Sequence, residues 1–297
     1  MYEIYKVFIK NYRVYTSEGM IHENDGAIFL KNLTAGKNLE FSEIKEGKID
    51  FIASIDGLLK IDVNTLFELN CIDDIMMATL HNNFEVKKGL KVAGTRVIPL
   101  LVEESKLNEA KKIVGDKKIV EIVPFKPKKV GIVTTGNEIY HKRIVDKFGP
   151  VIEEKVSKYG CEVIGQVICP DDKDVIKDSI LSFINQGAEL ICCTGGMSVD
   201  PDDVTPTAIK ETNAKLVTYG SPILPGAMFL LAYYNNVPIM GIPGCAMYHK
   251  TTVFDVILSR ILIDEKITKK DIAAYGHGGL CMNCEICTYP ACNFTKI

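Results

Sequence analysis

Leu190–Pro206 reads LICCTGGMSVDPDDVTP, and its three parts decide the fold of the half of the chain that contains it. The apolar run Leu190-Ile191-Cys192-Cys193 stops at Thr194-Gly195-Gly196, and a helix is expected after Asp202-Asp203. That order is a buried strand, a glycine turn and a helix start. Paired glycines let a backbone approach a ligand where any side chain would block it. The turn amides and the helix N-terminus together attract an anion. Asp203 stands where an N-cap is expected, with Pro206 tolerated in the first turn. It has two readings: a helix cap, or a carboxylate facing a bound phosphate or metal.

Outward from this motif, the chain after Lys129 alternates strands and helices. Val130–Thr134 reads as a buried strand, Phe148–Tyr159 as a helix closed by Gly160, and Glu162–Cys169 as the next strand. Pro170-Asp171-Asp172 caps helix Lys173–Asn185, and strand Glu189–Cys193 enters the motif. Beyond it come helix Val204–Thr212, strand Lys215–Tyr219 and a hairpin, Met228–Tyr234 with Val237–Gly241, around Asn235-Asn236. Pro243-Gly244 then opens one long helix, Cys245–Leu262. Such alternation predicts an α/β fold, a parallel sheet with helices on both faces, and ligands at the carboxyl ends of its strands. Thr135-Gly136, Thr194-Gly195-Gly196 and Pro243-Gly244 fall at those ends, with Pro225-Gly226 just upstream of the hairpin. Their convergence predicts a phosphate-sized site.

Residues 1–125 read as a smaller β-rich α+β domain. Strand-like runs cover Tyr5–Tyr15, Ala27–Lys31 and Phe51–Asp62, with turns at Asp25-Gly26, Asp56-Gly57, Lys88-Gly89 and Ala93-Gly94. Val63–Leu80 reads as a helix capped by Asp62 or Asn64, with Met76-Met77 as core filling. His81 is expected at that helix's end, and Ser105–Val114 reads as a further helix before strand Ile119–Val123. PFKPKK (Pro124–Lys129) is the expected linker. The organisation is therefore 1–125, an α/β domain over 126–270, and a cysteine-rich tail over 271–297.

With the glycine turns in order, residues 129–262 resemble the molybdopterin-binding domain of molybdenum-cofactor biosynthesis proteins, most closely the MoeA-type molybdotransferases. The residues that carry the resemblance are Thr134-Thr135-Gly136-Asn137-Glu138, Pro170-Asp171-Asp172, TGGMSVDPDDVT (Thr194–Thr205) and Gly241-Ile242-Pro243-Gly244. The resemblance implies a pterin-phosphate pocket lined by Thr135, Gly136, Asn137, Glu138, Asp172, Thr194, Gly195, Gly196, Met197, Ser198, Pro225, Gly226, Pro243 and Gly244. It implies adenylated molybdopterin and Mg2+ as ligands. Asp203, with Asp202, would act at molybdenum insertion or adenylyl transfer. The chain departs from that family where a Pro-Gly-Lys-Pro loop is usual, reading Leu224-Pro225-Gly226-Ala227 without a lysine, and again at Pro243-Gly244-Cys245-Ala246. Lys250 or Lys142 would have to supply the missing cation. The alternatives are a carrier that delivers molybdopterin to a molybdoenzyme client, and a nucleotide pyrophosphatase like the competence-damage branch, whose Asp-Asp-Val-Thr ending is similar.

Gly278-Gly279 leads into CMNCEICTYPAC, in which Cys281, Cys284, Cys287 and Cys292 are spaced x2, x2 and x4. Four thiols so close can surround one metal centre, an iron–sulfur cluster or Zn2+. The other six cysteines lie in apolar runs and read as core. A net charge of −3 provides no broad basic field, so a nucleic-acid partner is not expected. Leu216–Tyr248 carries no charge, but four prolines cut it into strand lengths, so no membrane span is expected. The first residues, MYEIYKVFIKNYRVYT, do not read as a signal peptide, and ten cysteines without one point to the cytoplasm. A homo-oligomer is compatible with all of this.

Overall fold

The computed structural model describes residues 18–198 and 203–296, so the expected strand Tyr5–Tyr15 and the acidic Asp202 lie outside the described residues. The chain divides into two units between Pro124 and Phe125.

The first unit runs β1 (Met20–His22), α1 (Glu23–Thr34), β2 (Leu39–Phe41), β3 (Lys48–Ala53), β4 (Gly57–Ile61), α2 (Val63–Asn70), β5 (Ile75–Thr79), β6 (Glu85–Val86), β7 (Lys91–Val97), β8 (Leu101–Glu103), α3 (Glu104–Val114) and β9 (Val120–Val123). Its strands form antiparallel sheets ordered β2-β3-β7-β5, β6-β4-β9 and β1-β8. Several expectations fail here. Ala27–Lys31 is helical, because Ala27, Leu30 and Thr34 share a buried helical face and the His22 ring caps the Asn24 amide. Asp25-Gly26 lies inside that helix, where a Cβ on Gly26 would come within 2.9 Å of Val97. The helix expected to reach Leu80 stops at Asn70, whose side chain pairs with both backbone groups of Met77 in β5. Ile75 and Met77 are buried there at strand spacing while Met76 is exposed, and His81 follows a strand. Ala93-Gly94 is no turn but the middle of β7, where a Cβ on Gly94 would meet Asp50 at 3.0 Å. Asp62 does cap α2, accepting from the Thr65 amide.

The second unit contains β10 (Lys129–Thr135), α4 (Asn137–Tyr140), α5 (Phe148–Ser157), β11 (Glu162–Cys169), α6 (Lys173–Asn185), β12 (Leu190–Thr194), α7 (Thr205–Glu211), β13 (Lys215–Tyr219), β14 (Leu230–Tyr234), β15 (Val237–Ile242), a 3-10 turn (Gly244–Met247), α8 (Val253–Ile261) and α9 (Lys269–Ala274). Its six strands are ordered β11-β10-β12-β15-β14-β13. The first four run parallel, and the β14–β15 hairpin and edge strand β13 run antiparallel. The fold is therefore α/β, with a mostly parallel sheet.

Both sheet faces are covered, which explains the unbroken apolar run of β12. Leu190 and Cys192 join Ile152, Val156 and Ile257 in one core cluster, whereas Ile191 and Cys193 join Ile176, Ile180 and Ile209 in the other. Gly131 and Gly165 lack side chains where the Phe183 ring packs, since a Cβ on either would approach it to 2.6 and 3.0 Å.

The single helix expected over Cys245–Leu262 is broken. After the 3-10 turn, Thr252 and Asp255 form a capping box that starts α8 afresh. Asp255 is held by Lys155 at 2.6 Å; burial raises its carboxyl, and Lys155 and Thr252 oppose that rise.

Candidate functional site

Parallel register places the loops. Thr134 pairs with Thr194, and Thr194 with Ile242, so β10, β12 and β15 end level and release their loops side by side. Thr135 pairs with Cys169, which brings the loop after β11 to the same edge. Because β14 is antiparallel and Leu230 pairs with Gly241, the segment entering β14 arrives at that edge too. The loops after β10, β12 and β15, with their glycine turns, thus lie along one rim of the sheet, and the segment carrying Pro225-Gly226 leads into it.

At the centre of the rim Gly195 and Gly196 have φ of +84° and +54°. A Cβ on Gly195 would sit 2.1 Å from the Thr135 carbonyl oxygen. This glycine therefore serves the close approach of β10 and β12. A Cβ on Gly196 would lie 2.8 Å from Thr205 Oγ1, 3.2 Å from Thr135 Oγ1 and 3.7 Å from Asp203 Oδ1. Gly196 is thus packed against two hydroxyls, with a carboxylate just beyond them, and leaves no room for a side chain. The two threonine hydroxyls are 3.1 Å apart and buried.

Asp203 is not the cap of α7. Val204 holds the N-cap position, and among the described residues no side chain caps the helix. The helix starts one residue later than Asp203 would need. Asp203 Oδ2 is buried and has no hydrogen-bond partner among the described residues. Its charge reaches Tyr219, whose hydroxyl is pushed up by burial first and by Asp203 second. The Tyr219 hydroxyl donates to the carbonyls of Met197 and Ser198, at 3.1 and 3.0 Å, and ties the glycine loop to β13.

The remaining candidates divide by what their side chains do. Asn137 and Asp171 are reciprocally clamped: the Asn137 amide donates to the Asp171 carboxylate at 2.9 Å, and the Asp171 amide donates back to Asn137 Oδ1 at 3.2 Å. Asp172 is occupied as the cap of α6, accepting from the Asp174 and Val175 amides. Glu138 is exposed, and Gly136, at φ +141°, has little around it. Thr194 is buried and donates to Thr134, and Met197 is buried against Gly241. The Met197 side chain is core, so only its backbone can line the rim. Pro225 accepts from the Val253 amide, and Gly226 presses on Val253, where a Cβ would come to 2.4 Å. This turn therefore seats α8, with the Ala227 carbonyl bonded to Ser221. Gly244 has open space beside it, with only Phe148 near. Lys155, the buried cation behind that loop, is committed to Asp255 and to the Lys250 carbonyl.

Three contributors were not picked out as site residues from the sequence: Tyr219, Thr205 and Asp171. Thr205 and Asp171 stand inside quoted motifs, but Tyr219 sits on an edge strand with no local signal. The four tail cysteines line one cavity, yet among the described residues no three Cys, His, Asp or Glu side chains are gathered closely enough to hold a metal ion. No helix among the described residues is long and apolar enough to cross a membrane.

A family model described as a probable molybdopterin binding domain matches residues 131–263. A molybdopterin adenylyltransferase of Pyrococcus furiosus is 32% identical over 92 residues, covering 31% of this chain and 54% of that protein. A molybdopterin molybdenumtransferase of Synechococcus elongatus is 26% identical over 125 residues, covering 39% of this chain and 31% of that protein. The chain thus spans about half the length of the first relative and about a third of the second. The crystal structure of a tungsten cofactor synthesizing protein from Pyrococcus furiosus aligns with 48% of this chain and 99% of its own, at 21% identity and a TM-score of 0.39. Residues 131–263 of this chain are thus similar to the family described as a probable molybdopterin binding domain.

Proposed function

We propose that this chain binds adenylated molybdopterin at the rim formed by the loops after β10, β12 and β15, and inserts molybdenum there. One observation carries the reading: at the glycine turn the hydroxyls of Thr135 and Thr205 gather around Gly196 beside Asp203, whose buried Oδ2 has no partner among the described residues. The two hydroxyls are bonded to each other, which leaves one of their two protons to donate outward to a phosphate oxygen. A lone carboxylate oxygen suits a hard cation whose other positions are filled by substrate phosphate and water, the usual habit of Mg2+. Bound there, Mg2+ would neutralise the charge between the pterin phosphate and the nucleotide phosphate.

The protein's own part is positioning and electrostatics. Thr135 and Thr205 orient the phosphate, Asp203 holds the cation, and Tyr219 keeps the Met197–Ser198 backbone in place. The clamp between Asn137 and Asp171 fixes the neighbouring loop, and Gly244 leaves room for the ligand on the β15 side. A non-catalytic carrier is the second reading. Its motive is Ala227, which leaves the loop before β14 without the cation that molybdate would need.

The test is Gly196→Ala, assayed for molybdopterin binding and for molybdate-dependent release of AMP from adenylated molybdopterin. The added methyl would meet Thr205 Oγ1 at 2.8 Å at a left-handed φ and push the glycine loop away from Thr205 and Asp203, so binding should fall at least ~10-fold, the loss of one charge-assisted contact. Unchanged affinity in a folded variant would remove the site. Tight binding by the unmodified chain without AMP release would select the carrier.

A further inference from the structure

The cysteine-bearing tail has a construction that the pterin site does not use. Both of its ends are fastened to the second unit. At the start, the Leu224 amide donates to Gly279 and the Cys281 amide donates back to Leu224, each at 2.8 Å. At the end, the Thr295 amide returns to the Gly278 carbonyl at 2.8 Å, and Phe294 is buried in the core. Gly278, at φ +83°, permits this return, since a Cβ there would lie 2.6 Å from the Lys296 carbonyl oxygen. Residues 279–294 therefore form a closed loop.

The loop contains neither helix nor extended strand, and Met282 and Ile286 are exposed by 78% and 75%. A segment with no core of its own needs a cross-link, and in a reduced chain that is commonly a metal. All four thiols are free of disulfides and face one cavity of about 360 Å³, whose other wall includes Thr251 and His249. The first Cys-x-x-Cys turn carries one feature of a thiolate site. Asn283 adopts φ +52°, and its amide donates to Cys281 Sγ at 3.4 Å, the kind of N–H to sulfur bond that stabilises a bound thiolate.

The geometry points to a thiolate-ligated metal centre formed by Cys281, Cys284, Cys287 and Cys292, which the loop makes by contracting around a thiophilic metal. Contraction is required, because metal–sulfur bonds of roughly 2.3 Å bring the sulfurs closer together than the structure places them. The exposed Cys284 and Cys287 are the movable pair, while Cys281 and Cys292 pack against the core and anchor the site. Each thiol releases its proton to solvent as it ligates.

The full chain, purified without oxygen, decides the matter by metal analysis and absorption spectroscopy. The expected result is ~1 zinc per chain, replaceable by Co2+ with sulfur-to-cobalt charge-transfer bands, or ~4 irons with the broad visible absorption of a cubane cluster. The two outcomes distinguish the metals and both support the centre. The double variant Cys284→Ser/Cys287→Ser should lose the metal while its molybdopterin binding persists, and Cys71→Ser, an exposed thiol elsewhere, should keep it. The proposal is overturned if the anaerobic protein holds neither zinc nor iron and takes up no Cd2+. Equal metal content in the double variant overturns it as well.

Discussion

Asp203→Ala is the substitution whose sign the structure determines. If the carboxylate capped α7, its loss would cost about 1 kcal/mol. For a unit of ~150–250 residues that lowers the melting midpoint by roughly 2–4 °C. The geometry argues otherwise, because Val204 holds the cap position and Asp203 Oδ2 is buried without a partner among the described residues. An unsatisfied buried acceptor costs about 1–3 kcal/mol. Removing it should leave the midpoint unchanged or higher, set against a small loss of packing. Function should move the opposite way. A charge-assisted contact is worth about 1.5–3 kcal/mol, or roughly tenfold to a hundredfold in rate. The assay pairs thermal melting of the ligand-free chain with Mg2+-dependent AMP release. A midpoint lowered by several degrees together with normal turnover would refute the reasoning and restore Asp203 as a cap.

Tyr219→Phe removes the hydroxyl that holds the Met197 and Ser198 carbonyls. It should cost about 0.5–1.5 kcal/mol per lost bond and weaken molybdopterin binding more than it slows turnover, which a KM-against-kcat comparison checks. Arg260 is buried between Glu265, Asp271 and Tyr275. Arg260→Met strands the two carboxylates and should destabilise the chain by about 3–5 kcal/mol, measured by urea unfolding. Burial would raise the Asp271 carboxyl, but Thr268 and Arg260 outweigh it and hold the group at about 2. Because that lies below the ordinary 3.8, its contribution is complete above pH ~4 and is lost as pH falls towards 2. The variant should unfold with a flatter pH dependence in that window.

Most elements of the second unit were legible because they carry local signals, the exception being the run Cys245–Leu262, which breaks into a 3-10 turn and α8. Helix Lys173–Asn185 has its cap at Asp172 and its stop at Gly187, and the hairpin turns at Asn235, whose φ is +52°. The first unit was read less well. The run Ala27-Ile28-Phe29-Leu30 has too few residues to separate a strand period from a helical one, and its burial against β7 makes it a helix. Val63–Leu80 kept a helical apolar spacing past Asn70, but pairing of Asn70 with Met77 turned the remainder into β5.

Sequence alone determined that glycine turns follow buried strands, that Asp203 closes the motif, and that four thiols share one short segment. Those are properties of neighbours along the chain. Tertiary structure decided what each turn is for. Gly195 and Gly226 are glycines because backbone or core atoms occupy the place of a side chain, and Gly196 because the polar atoms of Thr135 and Thr205 do, beside Asp203. Asp203 had two readings until the start of α7 was placed at Thr205, and Tyr219 had none until β13 was placed at the sheet's edge. The physical reason is the same in each case. A hydrogen bond between Tyr219 and Met197, or between Thr135 and Thr205, joins residues whose distance along the chain carries no periodicity, so only strand order and register can bring them together.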